Sequence, residues 1–260
     1  MIKLSMLSEA TVNCLAKVFG SRPIPVTFSE EQFLRLPKTA QIMIVGDITD
    51  SELLTTFSDK RFPRHVRLRL ASSHYCPQPV LHNFLKEGDI QLILNVAGNL
   101  STNSSDLKEL SQYGDRRTRA RVAYNANTPN TVLRVLSMDY DVLVRQCVSN
   151  NPHVPEDVLI YLARDRSALV RQGIATQAEL PYKVSQILLQ DKNTSVLFAL
   201  ARNKTMEKAE IVLTELAKCG VTIVQKAVAH NPKVTAETLD YLSQNGDDEV
   251  KISVSEVRNS

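Results

Sequence analysis

The chain has no tryptophan, only 8 glycines and only 5% aromatic residues among its 260 residues. Few glycines argue against phosphate-binding loops, which use glycine to bring backbone N–H groups close to a ligand, and against sheet-rich folds. Hydrophobic residues still make up 43% of the chain. This composition suits a protein whose core consists of Leu, Val, Ile and Ala.

The chain also lacks the cysteine and histidine spacings of metal and redox sites. It contains no C-x-x-C motif, which excludes zinc-ribbon and redox-motif sites. Its four cysteines are far apart, so we expect free, buried thiols in a reducing compartment. They are Cys14, Cys76, Cys147 and Cys219. His74 and His82 flank Cys76, but this spacing matches no known ligand pattern, and we expect no bound metal.

No targeting or membrane segment stands out. Residues 1–19 carry charges and Asn13 within their apolar part and have no cleavage-like end, unlike a signal peptide. No apolar run approaches the ~20 residues that a membrane helix needs. We therefore expect a soluble cytoplasmic protein that does not act at a membrane.

What the chain does contain is a period of 26 residues. One position is Asn or a similar residue in every unit, and successive copies are 26 residues apart five times and 28 apart once. Self-similarity at such a period is typical of stacked repeats. We expect this side chain to satisfy backbone groups between helices. The position is occupied by Ser73, Asn99, Asn125, Asn151, Gln177, Asn203 and Asn231.

Each unit has the pattern of two short helices. Asp, Ser or Asn caps the first helix, apolar residues three and seven positions later line one face, and a small residue follows them. A Pro or Asn-Pro then separates the two helices. The pattern predicts an all-α fold, an α-solenoid superhelix of about seven 26-residue repeats over residues 62–260. The caps are Asp89, Asp115, Asp141, Ser167 and Asn193.

The repeat resembles a known family. The pattern Val-Arg…Val-Ala-x-Asn…Pro-x-x-Val-Leu-x-x-Leu, present in residues 144–162 with Ser149 in place of Ala, is similar to that of the leucine-rich repeat variant family. The resemblance covers residues 62–256 approximately. It implies short HEAT-like helices, some of them 3₁₀, in a right-handed superhelix. One member carries a cysteine-rich iron–sulfur segment ahead of its repeats, but this chain has no such segment, and we expect no cofactor.

Residues 1–61 are less regular and are interpreted as an N-terminal helical capping module with one degenerate repeat. Ser8 precedes an amphipathic segment, Ser29 to Gln32 is a capping-box pattern, and Asp50 precedes a further apolar segment. Terminal repeats must be atypical because one side of them has no neighbour. A strand at residues 41–45 is the alternative interpretation.

An arginine recurs at one position of the repeat. Equivalent positions of a solenoid form a stripe, and a stripe of guanidinium groups could bind phosphates or carboxylates. Alternatively, each arginine pairs with the capping Asp of the adjacent repeat. Ile93, Leu197 and Gln225 interrupt the series. Its members are Arg67, Arg119, Arg145 and Arg171.

A denser basic patch is predicted in the first and third repeats. Two shared columns, one with Arg67 and Arg119 and the other with Arg69 and Arg121, would form one positive surface if both project to the same side. Nearby tyrosines such as Tyr124 could stack on bases. The open interpretations are a solvated face, a dock for an anionic protein, and a nucleic-acid site. The full patch adds Arg64, Arg116 and Arg117.

The predicted function is that of a non-enzymatic scaffold that binds a macromolecule. The net charge of +3 and pI of about 8.6 are modest, so we favour a protein partner, such as an acidic segment, over nucleic acid bound through its phosphate backbone. The chain has no G-x-S-x-G, H-E-x-x-H or P-loop motif, and no small-molecule substrate is evident. A helical-repeat enzyme that modifies DNA bases is a third interpretation. The sequence does not indicate the oligomeric state.

Overall fold

The computed structural model of the protein describes residues 1–259. In that range the backbone forms nineteen α-helices, one 3₁₀ helix and one pair of two-residue strands. Consecutive helices pack against one another, and the prediction of an all-α repeat solenoid is confirmed. None of the helices in this range combines the length and apolar composition that a bilayer crossing requires.

Residues 1–61 form the predicted helical module. Its helices are α1 (Glu9–Phe19), α2 (Glu30–Leu34), α3 (Lys38–Asp47) and α4 (Ser51–Phe57). Ser8 caps α1 and Asp50 caps α4, while Ser29 and Gln32 form the capping box at the start of α2. The sequence signals for helix starts are therefore confirmed at three positions.

Two features of this module differ from expectation. The alternative of a strand at residues 41–45 is wrong, because these residues lie inside α3, where Gln41 donates to the carbonyl oxygens of Phe33 and Leu34 at 3.0 and 3.1 Å. An antiparallel pair of strands, β1 (Ile2–Lys3) and β2 (Thr27–Phe28), was not predicted. Two-residue strands are too short to show an alternating pattern.

The repeats supply fifteen further helices within the described residues. The first helices of the units are α5 (Arg64–Ala71), α7 (Ile90–Gly98), α9 (Arg116–Tyr124), α11 (Val142–Ser149), α13 (Ala168–Ala175), α15 (Thr194–Arg202), α17 (Thr222–Ala229) and α19 (Asp248–Asn259). The second helices are α6 (Gln78–Leu85), α8 (Ser104–Leu110), α10 (Asn130–Leu136), α12 (Glu156–Leu162), α14 (Tyr182–Leu188), α16 (Ala209–Ala217) and α18 (Ala236–Asn245).

The chain divides into two compact units, Met1–Asn127 and a second that begins at Thr128. In the first unit α3, α5, α7 and α9 form one row, each helix packed on the next. In the second unit α11, α13, α15, α17 and α19 form such a row. The division at Asn127 falls inside the repeats, so the predicted domain boundary between residues 61 and 62 stays a prediction.

The small residue of each repeat lets first helices approach closely. In the second unit Ser149, Ala175 and Ala201 are fully buried between neighbouring first helices. A methyl group added at Gly173 would collide with the hydroxyl of Ser149, so the backbone of α13 lies directly against the Ser149 side chain of α11.

The Asn column forms the predicted hydrogen bonds in both units. In the first unit Asn125 Nδ2 donates to the carbonyl oxygens of Ala97 (3.0 Å) and Asn99 (2.9 Å). In the second unit Asn203 Nδ2 donates to Ala175 (2.9 Å) and Gln177 (2.8 Å) in the same way.

The same pattern recurs at Asn99, Gln177 and Asn231. In the Asn copies the side-chain oxygen also accepts the N–H two residues ahead, as Asn203 does from Thr205 at 2.9 Å. Each side chain thus pairs carbonyl groups at the end of the preceding first helix that have no partner within that helix.

Replacing Asn203 by Ala should destabilise the protein strongly, because two carbonyl oxygens and the N–H of Thr205 lose their partner inside the fold. We expect the free energy of unfolding to fall by about 2–4 kcal/mol, measured by urea denaturation. Asn130→Ala, at an exposed position of α10, is the control and should change it by less than about 0.5 kcal/mol. Equal losses in both variants would contradict the structural role of the column.

Candidate functional site

The arginine column is buried and bound within the protein. Arg145 is 4% exposed and makes two sets of hydrogen bonds. Its Nε and Nη2 donate to the two carboxylate oxygens of Asp165 at 2.7 and 3.1 Å. Its Nη1 donates to the carbonyl oxygens of Asp139 (2.9 Å) and Tyr140 (3.2 Å) in the loop before α11. One guanidinium therefore joins two successive inter-repeat loops.

Arg171 repeats this arrangement one unit later. Its Nε and Nη2 bind Asp191 at 2.5 and 3.0 Å, and its Nη1 donates to the carbonyl oxygen of Asp165 at 2.7 Å. Asp165 thus accepts from Arg145 through its side chain and from Arg171 through its backbone. The result is a continuous ladder of ion pairs and hydrogen bonds along this part of the second unit.

The first unit contains related contacts. Arg67 and Glu87 form an ion pair whose side chains are both largely buried. Arg119 is 6% exposed, and its Nη1 donates to the carbonyl oxygens of Tyr113 and Gly114, each at 2.9 Å. Buried guanidinium groups engaged in this way are part of the repeat and are not an open stripe for a partner.

The partner of the column differs from the one that the sequence suggested. The acidic residue lies 20 positions after the arginine, as in Arg145 with Asp165, and two positions before the next cap. Ser167 occupies the predicted N-cap position of α13, but its side chain makes no capping hydrogen bond, and its N–H donates to Asp165 at 2.8 Å.

A signal for this pairing is present in the sequence. Where the arginine is replaced by Ile93 or Leu197, the position 20 residues later holds Tyr113 or Ala217 and is no longer acidic.

The ladder lowers the pKa of its carboxyl groups. Burial alone would raise the pKa of Asp165, but hydrogen bonds from Arg145 and from the Ser167 N–H outweigh it, and the pKa lies below its usual range. Asp191 is affected in the same way by burial and by Arg171, with the same net lowering of its pKa. Both carboxylates are held in the charged form that the arginines require.

The two columns of the basic patch lie on different sides of their helices. Residues two apart in a helix differ by about 200° in direction. Arg67 turns to Glu87, whereas the guanidinium of Arg69 lies against Gly46 at the end of α3. Arg121 likewise lies over Gly98 at the end of α7, where a methyl group added to the glycine would be 3.1 Å from the arginine Nη1.

The condition for one open positive face, with both columns on the same side, is therefore not met.

The remaining residues of the patch are at the surface. Arg64 is exposed and binds the capping residue Asp89 at 2.5 and 2.8 Å, which lowers the pKa of Asp89 to about 2. Arg116, Arg117 and Tyr124 are also exposed. They lie on α9, and the Nε of Arg117 is 3.6 Å from the Oδ1 of Asp115. Binding of a partner by these residues stays a prediction.

A surface that the sequence analysis missed lies in the second unit, beside the loop between α10 and α11. Here a cleft of about 800 Å³ opens between that loop and α12. Three large side chains on it are strongly exposed: Met138 at 68%, Tyr140 at 73% and Tyr161 at 51%. With Arg164 and Arg166 at its rim we call this surface the tyrosine cleft. Its inner wall includes the buried pair Arg145 and Asp165.

The tyrosine cleft continues along the second helices. A neighbouring cleft of about 460 Å³ shares Arg164 and is lined by Lys183 and Ile187 of α14. Arg164 and Arg166 donate to the carbonyl oxygens of Ile160 and Tyr140 at 3.1 and 3.3 Å. Aromatic, aliphatic and cationic side chains thus share one exposed surface.

Cysteine and metal chemistry find little support in residues 1–259. No group of three His, Cys, Asp or Glu side chains in this range could hold a metal ion. Burial raises the pKa of the Cys76 thiol to about 12, which makes it a poor nucleophile. The other three cysteines are half-buried, so the prediction of buried thiols is correct for Cys76 alone.

The comparison with solved structures supports the fold. No protein-family model and no curated protein matches the sequence. Among solved structures, one described as a leucine-rich repeat variant with a novel repetitive protein structural motif is similar, with a TM-score of 0.59 and 21% identity. The match covers 86% of this chain and 88% of that chain. The resemblance seen in the repeat pattern is confirmed as a likeness of fold, and the chain has the fold of a repeat protein.

Replacing Arg145 by Met should cost about 3–5 kcal/mol of unfolding free energy, because Asp165 is left charged and buried without its partner. Arg134→Met removes an Arg–Asp pair of similar geometry in which Arg134 and Asp157 are both exposed. That control should cost no more than about 1 kcal/mol. Urea denaturation of both variants measures the difference, and similar losses would mean that the ladder does not stabilise the fold.

The ladder should also make stability depend on pH. Because the folded-state pKa values of Asp165 and Asp191 are lowered, their contribution is fully present above the unfolded pKa of about 4 and is lost as pH falls through the folded values. The unfolding free energy of the wild type should therefore drop as the pH is lowered from about 5. In Arg145→Met/Asp165→Leu the drop should be smaller, and an unchanged slope would contradict this assignment.

Proposed function

We propose that the protein is a non-enzymatic repeat scaffold that binds another protein through the tyrosine cleft. The observation that carries this proposal is the exposure of Met138, Tyr140 and Tyr161 beside arginines in one cleft. Large exposed apolar side chains grouped on a protein surface mark interaction sites. Tyr, Met and Arg are also the residue types enriched in protein interfaces, and Tyr and Arg dominate binding hot spots.

The cleft is well suited to binding because the ladder holds part of its wall in place. Arg145 fastens the loop that carries Tyr140 to Asp165, which follows α12. Tyr161 lies on α12 itself. The two tyrosines therefore extend from segments that are fixed relative to each other, and a partner does not need to order them on binding.

The same contacts favour binding over catalysis. Asp139, Asp157 and Asp165 line the cleft, but Asp157 is bound to Arg134 and Asp165 to Arg145, and the Asp139 carboxylate accepts the Asp141 N–H at 2.9 Å. A carboxylate that is kept charged by an arginine is poorly suited to transfer protons near neutral pH. The proposal therefore includes no catalytic residue.

A protein partner is favoured over nucleic acid by the position of the arginines. Binding to the phosphate backbone of a nucleic acid needs several cations on one open surface of the protein. Of the seven arginines in the basic patch that the sequence suggested for this purpose, Arg67 and Arg119 are largely buried. The tyrosine cleft instead combines Arg164 and Arg166 at its rim with a larger apolar surface, and two of its three aspartates are paired with arginines. This combination suits an acidic protein segment with aromatic or aliphatic anchors.

The proposal is tested by affinity capture with matched variants and quantitative mass spectrometry. In Tyr161→Ala/Arg164→Glu we expect at least about a tenfold loss of one or more captured proteins, about 1.4 kcal/mol of binding. The control is Tyr241→Ala/Arg35→Glu, which makes the same changes at exposed sites on α18 and after α2. Unfolding midpoints establish that both variants fold.

Two outcomes would contradict the proposal. Equal capture by the two variants would mean that the tyrosine cleft is not the binding surface. Capture that disappears after nuclease treatment would replace the protein partner by nucleic acid.

A further inference from the structure

A second exposed groove lies in the second unit, along its first helices. It consists of two adjoining clefts of about 420 and 400 Å³ that share Phe198, Arg202 and Lys204. The groove runs across the first helices α13, α15 and α17, from Ile223 in the first turn of α17 to the residues that follow α13 and α15. The tyrosine cleft is instead bordered by the loop that leads into a first helix, so the two surfaces are separate.

The groove is positively charged. Arg202 and Lys204 are exposed at the junction of the two clefts, and Lys226 and His230 line the second cleft. Among the described residues that line the two clefts none is acidic. The carboxylate of Glu249, exposed on α19, lies 3.0 Å from Lys226 Nζ, and the carboxylate of Asp247 also interacts electrostatically with Lys226.

Apolar groups form the rest of the groove. Ile223 is 52% exposed, and Phe198 is half-buried with Ala199 and Ala227 beside it. The guanidinium of Arg202 lies over the Phe198 ring, 5.6 Å from its centroid. This contact positions Arg202, and it covers one face of the ring, which leaves less of the ring for a nucleic-acid base to stack on.

We infer that this groove, which we call the basic groove, binds an acidic protein segment with one aliphatic side chain among its carboxylates. The aliphatic side chain packs between Phe198 and Ile223. Carboxylates on one side of it bind Arg202 and Lys204, and a carboxylate on the other side binds Lys226. The inference extends the proposed function, since it presumes a scaffold with a protein partner, but it uses none of the residues of the tyrosine cleft.

The test is fluorescence anisotropy with a short labelled peptide of Glu and Asp around one Leu. In Arg202→Glu/Lys204→Glu we expect at least about tenfold weaker binding. Arg35→Glu/Lys60→Glu makes the same charge change at exposed positions of the first unit and should keep most of the affinity. Affinity for the wild type should also fall with added salt, because the cations are exposed.

A second variant separates the apolar contact from charge. Ile223→Ser should weaken binding of the leucine peptide several-fold and leave a matched peptide with Gly in place of Leu unaffected. Ile223 is largely at the surface, so this change should not disturb folding.

Three other outcomes would overturn the inference. No binding of the leucine peptide, or equal binding by the Arg202→Glu/Lys204→Glu variant, would show that the basic groove is not the site. Tighter binding of a single-stranded oligonucleotide of equal length, lost in the same variant, would assign the groove to nucleic acid.

Tyr161→Ala/Arg164→Glu should bind the peptide like the wild type. A negative result for the proposed function, which depends on the tyrosine cleft, can thereby be distinguished from a negative result for peptide binding in the basic groove.

Discussion

The structure depends on how very short helices find hydrogen-bond partners for the backbone N–H and C=O groups at their ends. First helices such as α11, α13 and α17 have eight residues each, and in a helix of that length about half of the backbone N–H and C=O groups have no partner inside the helix. The Asn column meets this need from the neighbouring repeat, as Asn203 does for Ala175 and Gln177. A repeat is therefore incomplete without the next one, and stacking follows from hydrogen bonding as much as from apolar burial.

The arginine ladder meets the same need in the loops that join repeats. Arg145 binds two carbonyl oxygens of one loop and the carboxylate of Asp165 in the next. A guanidinium has five N–H donors in a planar fork and can make both sets of contacts at once, which the single ammonium group of lysine cannot. A charge repeated at a fixed period is thus explained by the architecture. The surfaces proposed for binding occupy positions that the architecture does not constrain: the column of Tyr161 holds Val135 and Ile187 in the neighbouring units.

Much of the fold could be read from local patterns. Capping residues, apolar spacing and the small column identified the helices, and the Asn column was assigned its hydrogen bonds correctly. The candidate site was much less predictable. Arg67 and Arg69 look equivalent in the sequence, yet one is in a buried ion pair and the other lies against Gly46, because a rotation of about 200° separates them. The tyrosine cleft was missed because Met138 and Tyr161 are far apart in the sequence and belong to no motif.

The sequence by itself determined the repeat, its period and the two-helix unit, since these depend on interactions between residues a few positions apart and on a pattern that each unit repeats. Only the tertiary structure decided which charges are buried and which exposed side chains lie together. Arg145 and Arg164 are both arginines near loops, but one meets Asp165 inside the fold and the other lies at the rim of a cleft. Burial depends on which repeat packs against which, and that arrangement is a property of the stacked helices.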